Sequence, residues 1–187
     1  IFNLLFLAAV ICCCSSSEVE KKKEKSNIKN NPGHYVAVSP HFNLSEIKHI
    51  GEPALKGVNK RYFWRTLETS KNEYDLSWIE EDLEFCSKNN KQLVVFLCDR
   101  SFWIKGAMPT YLKEYEWKNE GGGFCPIRWH PEFVNRFLAI GRAIGDRFDA
   151  HPNFEGIAIQ ETALDLTEED VLRYDYSPDK YRDALIS

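Results

Sequence analysis

Gln92–Cys98 reads QLVVFLC, a nearly continuous apolar run ending at Asp99 and Arg100. A strand with water on one face would alternate apolar and polar residues, so an unbroken run describes a strand covered on both faces, as in a parallel sheet. The segment before it has a different period. Leu76, Ile79, Leu83 and Cys86 recur at helical spacing; Asp75 or Ser77 can cap the start, Glu80 and Glu81 suit its first turns, and Asn89 and Asn90 stop it. After it, Phe133, Phe137, Ile140, Ile144 and Phe148 recur at threes and fours behind Pro131, a favoured first helical residue. Helix, buried strand and helix in succession point to an α/β architecture with parallel strands.

Working outward, His34–Ser39 (HYVAVS) reads as a first strand stopped by Pro40, and Leu44–Ile50 as a short helix or turn before Gly51 and Pro53. Gly57–Leu67 (GVNKRYFWRTL) is rich in aromatic and β-branched residues and is expected to be a second strand, followed by a polar stretch from Glu68 to Asp75. Phe154–Gln160 (FEGIAIQ) reads as a fourth strand, running into Glu161 and Thr162, with Ile157, Ile159 and Glu161 on one face and Ala158, Gln160 and Thr162 on the other. A further helix is expected from near Pro178 through Asp179–Ile186. The connection from Ser101 to His130 holds Pro109, Pro126 and the triple glycine Gly121–Gly123, and a connection of that length inside a compact domain is usually functional. The glycines lack the Lys and Ser/Thr of a phosphate-binding loop.

The ends differ from this ordered region. Ile1–Ile11 is almost wholly apolar and leads into Cys12, Cys13, Cys14 and Ser15–Ser17. That is shorter than the about 20 apolar residues of a spanning helix and suits the core of an export signal at 1–17. The cysteines and serines fit a lipoprotein signal, in which one of the three is lipidated, or an ordinary cleaved signal with incidental cysteines. A missing initiator Met and basic leader suggest that the sequence starts inside its reading frame. Residues 18–33 contain EVEKKKEKSNIKNNP, with almost no apolar periodicity, and are expected to be a flexible charged linker.

Composition narrows the function. A net charge of −4 gives no basic face for nucleic acid, whereas neutral sugars remain open. Aromatics make up 13% of the 187 residues, and Trp64, Trp103, Trp117 and Trp129 near turns suit either sugar stacking or a packed core. His34, His41, His49, His130 and His151 form no ligand motif, so neither a metal nor another cofactor is expected. Cys86, Cys98 and Cys125 read as buried free thiols. Asn43-Leu44-Ser45 is an N-glycosylation acceptor pattern that matters only in a glycosylating host.

Trp64-Arg65-Thr66-Leu67-Glu68 followed by Asn72–Leu83 (NEYDLSWIEEDL) resembles the second strand and helix of clan A glycoside hydrolases. The long helix with Arg142, Ile144, Gly145, Arg147 and Phe148, then Pro152 and a strand ending in Gln160-Glu161, is similar to the β-galactosidase-like members of that clan. The resemblance covers roughly 33–162. It implies a TIM (β/α)8 barrel of which about the first four βα units are present in 34–187, truncated at the C-terminus.

The resemblance also implies an exported glycosidase acting on oligo- or polysaccharides. In those enzymes a fourth-strand Glu, usually preceded by Asn, is the acid/base. Glu161 matches it, and Gln160 stands where the Asn would be, with an amide able to hydrogen-bond a sugar hydroxyl. Arg65 matches a second-strand Arg that supports the catalytic carboxylates, with an ion pair to Glu68 or another loop acid as the structural alternative. Asp99 and Trp103, just after the third strand, are expected to contact sugar by hydrogen bonds and by stacking.

A glycosidic oxygen leaves poorly until protonated, which is the task of a carboxylic acid at 161, and a retaining enzyme needs a second carboxylate roughly 5–5.5 Å away. The clan carries that nucleophile on the seventh strand, absent from this chain. A non-catalytic carbohydrate-binding barrel is the alternative. Four strands alone would leave two open parallel edges, so the isolated chain is expected to aggregate and to be inactive.

Overall fold

The structure, a computed structural model, describes residues 29–101, 106–119, 121–160, 164 and 166–186. The expected export signal at 1–17 and linker residues 18–28 lie outside the described residues, as do Trp103 and Glu161.

Four strands form one parallel sheet: β1 (His34–Val38), β2 (Leu55–Phe63), β3 (Gln92–Cys98) and β4 (Phe154–Ile159), side by side in chain order. Strand β3 has the bounds its apolar run gave it. Between β1 and β2 there is a short 3-10 turn, Leu44–Glu46, with the Asn43 side chain accepting from the Ser45 backbone N–H. Helix α1 (Ser77–Lys88) joins β2 to β3, and α2 (Pro131–Phe148) joins β3 to β4. Two more helices follow β4, α3 (Glu168–Arg173) and α4 (Pro178–Ile186). Parallel neighbours need such crossovers, which is why the periods alternate in the sequence.

Register separates the two faces of the sheet. Val58, Lys60 and Tyr62 of β2 stand beside Leu93, Val95 and Leu97 of β3. This face packs under Ile79, Leu83 and Cys86 of α1 and Phe133, Ile140, Ile144 and Phe148 of α2, and it forms the main core. Each such side chain buried contributes about 1.5–3 kcal/mol. Lys60 is tolerated there because its Nζ meets Asp82 at 2.6 Å, and the same carboxylate accepts the Tyr62 hydroxyl at 2.6 Å. The other face carries Asn59, Arg61, Val94, Phe96 and Ala158 and is less covered: Arg61 is exposed, its guanidinium 5.5 Å from the Phe96 ring.

On β4, Ile157 and Ile159 pair with Val95 and Leu97, whereas Ala158 pairs with Phe96, so the alternation read from the sequence holds over these residues. Ile157 and Ile159 are nonetheless 37% and 50% exposed, because the helix cover thins at this side of the sheet.

Three expectations change. Strand β2 stops at Phe63, paired with Cys98 at the end of β3, and Trp64–Leu67 forms a helical turn. Beyond Cys98 no strand backbone remains to pair with; the Arg65 N–H donates instead to Ala107 O at 2.9 Å, and the Trp64 indole turns inward to Glu68 at 2.7 Å. The polar stretch after it is a small hairpin, Glu68–Ser70 with Glu73–Tyr74, turning at Asn72 with a φ of 67°.

The linker is likewise shorter than composition suggested. Lys29 donates to His151 O and Phe154 O at 3.2 and 2.7 Å, and Asn31 binds Glu155 through its backbone N–H and its side-chain amide. Residues 29–33 therefore reach from the start of β1 to the start of β4. Finally, the 101–130 connection contains a 3-10 helix, Thr110–Tyr115, and a hairpin, Glu116–Lys118 with Phe124–Pro126, whose turn uses the three glycines.

Candidate active site at the carboxyl ends of the strands

The sheet is parallel, so all four strands deliver their following residues to one end: Ser39 to His41 after β1, Trp64 to Leu67 after β2, Asp99 to Ser101 after β3 and Gln160 after β4. In barrels this is the end where active sites gather.

Gln160 and Asp99 are brought together there. The Gln160 side-chain Oε1 accepts the backbone N–H groups of Asp99 and Arg100 at 3.0 and 2.9 Å. The Asp99 carboxylate faces the other way, into a fork made by Arg128, with Nε to Oδ2 at 2.7 Å and Nη2 to Oδ1 at 2.8 Å. Asp99 is 3% exposed and both its oxygens are occupied, so in this arrangement it holds Arg128 rather than offering oxygens to a ligand. Burial alone would lower the Arg128 pKa; the Asp99 charge and hydrogen bonds, with the Tyr181 hydroxyl at 3.1 Å, push it well above the ordinary value. Arg128 is therefore a fixed cation.

Arg65 is not brought to this pair. It sits on the exposed side of the helical turn after β2, its guanidinium 5.6 Å from the Phe63 ring and its Nη1 3.6 Å from where Gly106 would carry a Cβ. Glu68 has a different ion-pair partner: Arg136 from α2, together with the Tyr111 hydroxyl at 2.7 Å, the Trp64 indole and the Asn72 N–H at 3.1 Å. Burial first, then the bond to Glu68, raises the Tyr111 pKa well above its ordinary value, so this hydroxyl stays a donor. Glu161 and Trp103 lie outside the described residues.

Of the tryptophans that suited either sugar stacking or a packed core, Trp64 and Trp117 are core residues with at most 2% exposure. Trp129 is half-buried, donates its indole N–H to Tyr174 O at 2.8 Å, and meets Tyr176 edge-on at 5.1 Å. With Trp117, Tyr174 and Tyr181 it forms an aromatic group that fastens the segment after β4 to the 101–130 connection. A cleft of about 210 Å³ opens beside it, lined by Asp99, Arg128, Phe137, Ile159 and Leu185 among others. Arg128 and Tyr181 were not singled out in the sequence. A buried Arg between apolar Ile127 and Trp129 was the available signal. Among the described residues, no cluster of three or more His, Cys, Asp or Glu side chains forms a metal site.

No protein-family model matches the chain, and no curated protein matches it. Solved structures do. A β-galactosidase from the psychrophilic Marinomonas ef1 superposes with a TM-score of 0.54 at 16% identity, over 75% of this chain and 24% of that one. A cold-adapted β-galactosidase from Rahnella sp. R3 does so with a TM-score of 0.52 at 14% identity, over 84% and 26%. The chain thus spans about a quarter of the length of these enzymes. At these identities the likeness is one of fold: the four-stranded parallel sheet with its crossover helices is the architecture this chain shares with part of these two β-galactosidases.

Proposed function

We propose that this chain is part of an exported glycoside hydrolase that cleaves O-glycosidic bonds of oligo- or polysaccharides with retention. Glu161 is its general acid/base, and the nucleophilic carboxylate comes from a strand other than the four seen here. The observation that carries the reading is the fold likeness to two β-galactosidases, in a chain whose fourth strand ends at Ile159, two residues before Glu161 in the sequence.

Glu161 delivers its proton to the glycosidic oxygen as the C–O bond breaks, while the nucleophile bonds to the anomeric carbon. In the second step water, giving a proton to Glu161, attacks that carbon as its bond to the nucleophile breaks, which frees the nucleophilic carboxylate and regenerates the acid. Arg65 and Trp103 bind substrate around this centre, and Asp99 serves it through Arg128. No cofactor, metal or nucleic acid takes part. Export to the periplasm, the outer membrane or the medium is supported by the apolar stretch at 1–11, and a lipid anchor by Cys12–Cys14.

The test is sugar release from a broad panel of neutral glycans by the full-length protein and its Glu161→Gln variant. The variant should lose about 10²–10⁴-fold in kcat. Sugar binding without release by the wild type would favour a non-catalytic carbohydrate-binding barrel, and equal release by both proteins would remove Glu161 from the mechanism.

A further inference from the structure

The ladder between β3 and β4 ends at Leu97 and Ile159. One residue on, the pairing continues by a different means. The Gln160 side-chain carbonyl takes the two successive backbone N–H groups of Asp99 and Arg100, which no longer have a strand neighbour to accept them. Its anchor is buried and cross-linked by hydrogen bonds: Asp99 and Arg100 are 3% and 1% exposed, and the Asp99 carboxylate is gripped by Arg128, itself tied to Tyr181 on α4.

We propose that Gln160 is a positioning residue, a side-chain clamp that ties the end of β4 to the end of β3 directly before the proposed acid/base in the sequence. The proposal rests on the reading of Glu161 as the acid/base. A side chain one methylene shorter falls about 1.5 Å short and loses both bonds. A carboxylate of the same length keeps both, because only the acceptor is used. The clamp therefore requires length and an acceptor oxygen and is indifferent to the amide NH₂. A sugar-binding amide would require the NH₂ as donor.

Two variants of the full-length protein separate these roles. Gln160→Asn should lower kcat by about 100-fold with KM nearly unchanged, the cost of misplacing a reacting group by about 1 Å. Gln160→Glu should stay within about tenfold of wild type in both constants. Amide hydrogen exchange gives a readout independent of activity: the Asp99 and Arg100 N–H groups should exchange at least tenfold faster in Gln160→Asn and at the wild-type rate in Gln160→Glu, with both melting temperatures near wild type. The reverse kinetic order, or an unchanged exchange rate in Gln160→Asn, overturns the clamp. A Gln160→Asn variant that fails to fold leaves Gln160→Glu to decide, because loss of activity there, with normal exchange, overturns it as well. A wild type that releases no sugar refutes the hydrolase reading, and the clamp's catalytic role with it. An active wild type with an unaffected Gln160→Asn refutes the clamp alone.

Discussion

Removing either partner of the buried Glu68–Arg136 pair should destabilise the protein strongly, and removing both should cost less than the two losses added. Glu68 is fully buried and accepts four donors: Arg136, the Tyr111 hydroxyl, the Trp64 indole and the Asn72 backbone N–H. In Glu68→Gln the Arg136 guanidinium stays inside without a counter-charge, and the new amide NH₂ must point at groups that are themselves donors. Breaking a buried pair from one side costs about 3–5 kcal/mol. For a protein of this length that is a fall of roughly 6–20 °C in melting temperature. In Arg136→Met the carboxylate keeps its other three donors but loses its counter-charge, and the Asn72 Oδ1 and the Tyr74 and Tyr111 hydroxyl oxygens lose the donor that Arg136 gave them, so the cost is again about 3–5 kcal/mol. The double variant should cost less than the two singles added together, with a coupling above about 0.5 kcal/mol. Urea unfolding of the four proteins measures all of this. Simple additivity, or a loss below about 1 kcal/mol in either single variant, would refute the claim that the two residues form one buried network.

Two further outcomes follow from packing and burial. A Cβ at Gly57 would stand 2.2 Å from Gln92 O, its register partner on β3, so Gly57→Ala must push two central strands apart. It should cost about 3 kcal/mol, while Gly51→Ala, which meets nothing within 4 Å, stays within about 0.5 kcal/mol of wild type; parallel thermal melts check the contrast. Cys86 is buried between the sheet and α1, and burial first, then the nearby Asp82, pushes its thiol up from 9.0 to about 12. The folded chain therefore keeps a proton that the unfolded chain releases between those values, and stability from this group fades as pH rises through that window. Thiol alkylation at pH 8 should stay slow until denaturant is added, and rapid labelling of Cys86 in the native protein would contradict the burial.

The sequence made the sheet and its two long helices legible because their patterns are set by which faces are covered. QLVVFLC has core on one side and half-covered neighbours on the other, and α2 shows one continuous apolar stripe. What stayed hidden depends on partners far along the chain. Trp64–Leu67 has the composition of a strand, and it becomes a helical turn because β3 offers no backbone beyond Cys98. Arg136 lies on the buried side of an amphipathic helix, which flags a buried cation, yet Glu68 as its partner is 68 residues away. Helix α3 was missed although Thr167 and Asp170 form a reciprocal cap, since so short a helix shows little periodicity. At the carboxyl end, Gln160 and Asp99 were both singled out. Their joint use of one amide, and the pull of Arg128 on Asp99, arise only when the strand ends meet.

The contacts of Lys29 and Asn31 with the start of β4 set a timetable. Asn31 and Glu155 are 124 residues apart in the chain. At a synthesis rate of about 5–20 residues per second, the segment before β1 waits roughly 6–25 s for its partner to be made. Through that interval the Lys29 and Asn31 side chains lack their partners at the start of β4, and the first three strands assemble without that contact. Closure of this end is thus a late event in the making of the molecule, governed by the arrival of β4 rather than by the order in which the residues are read.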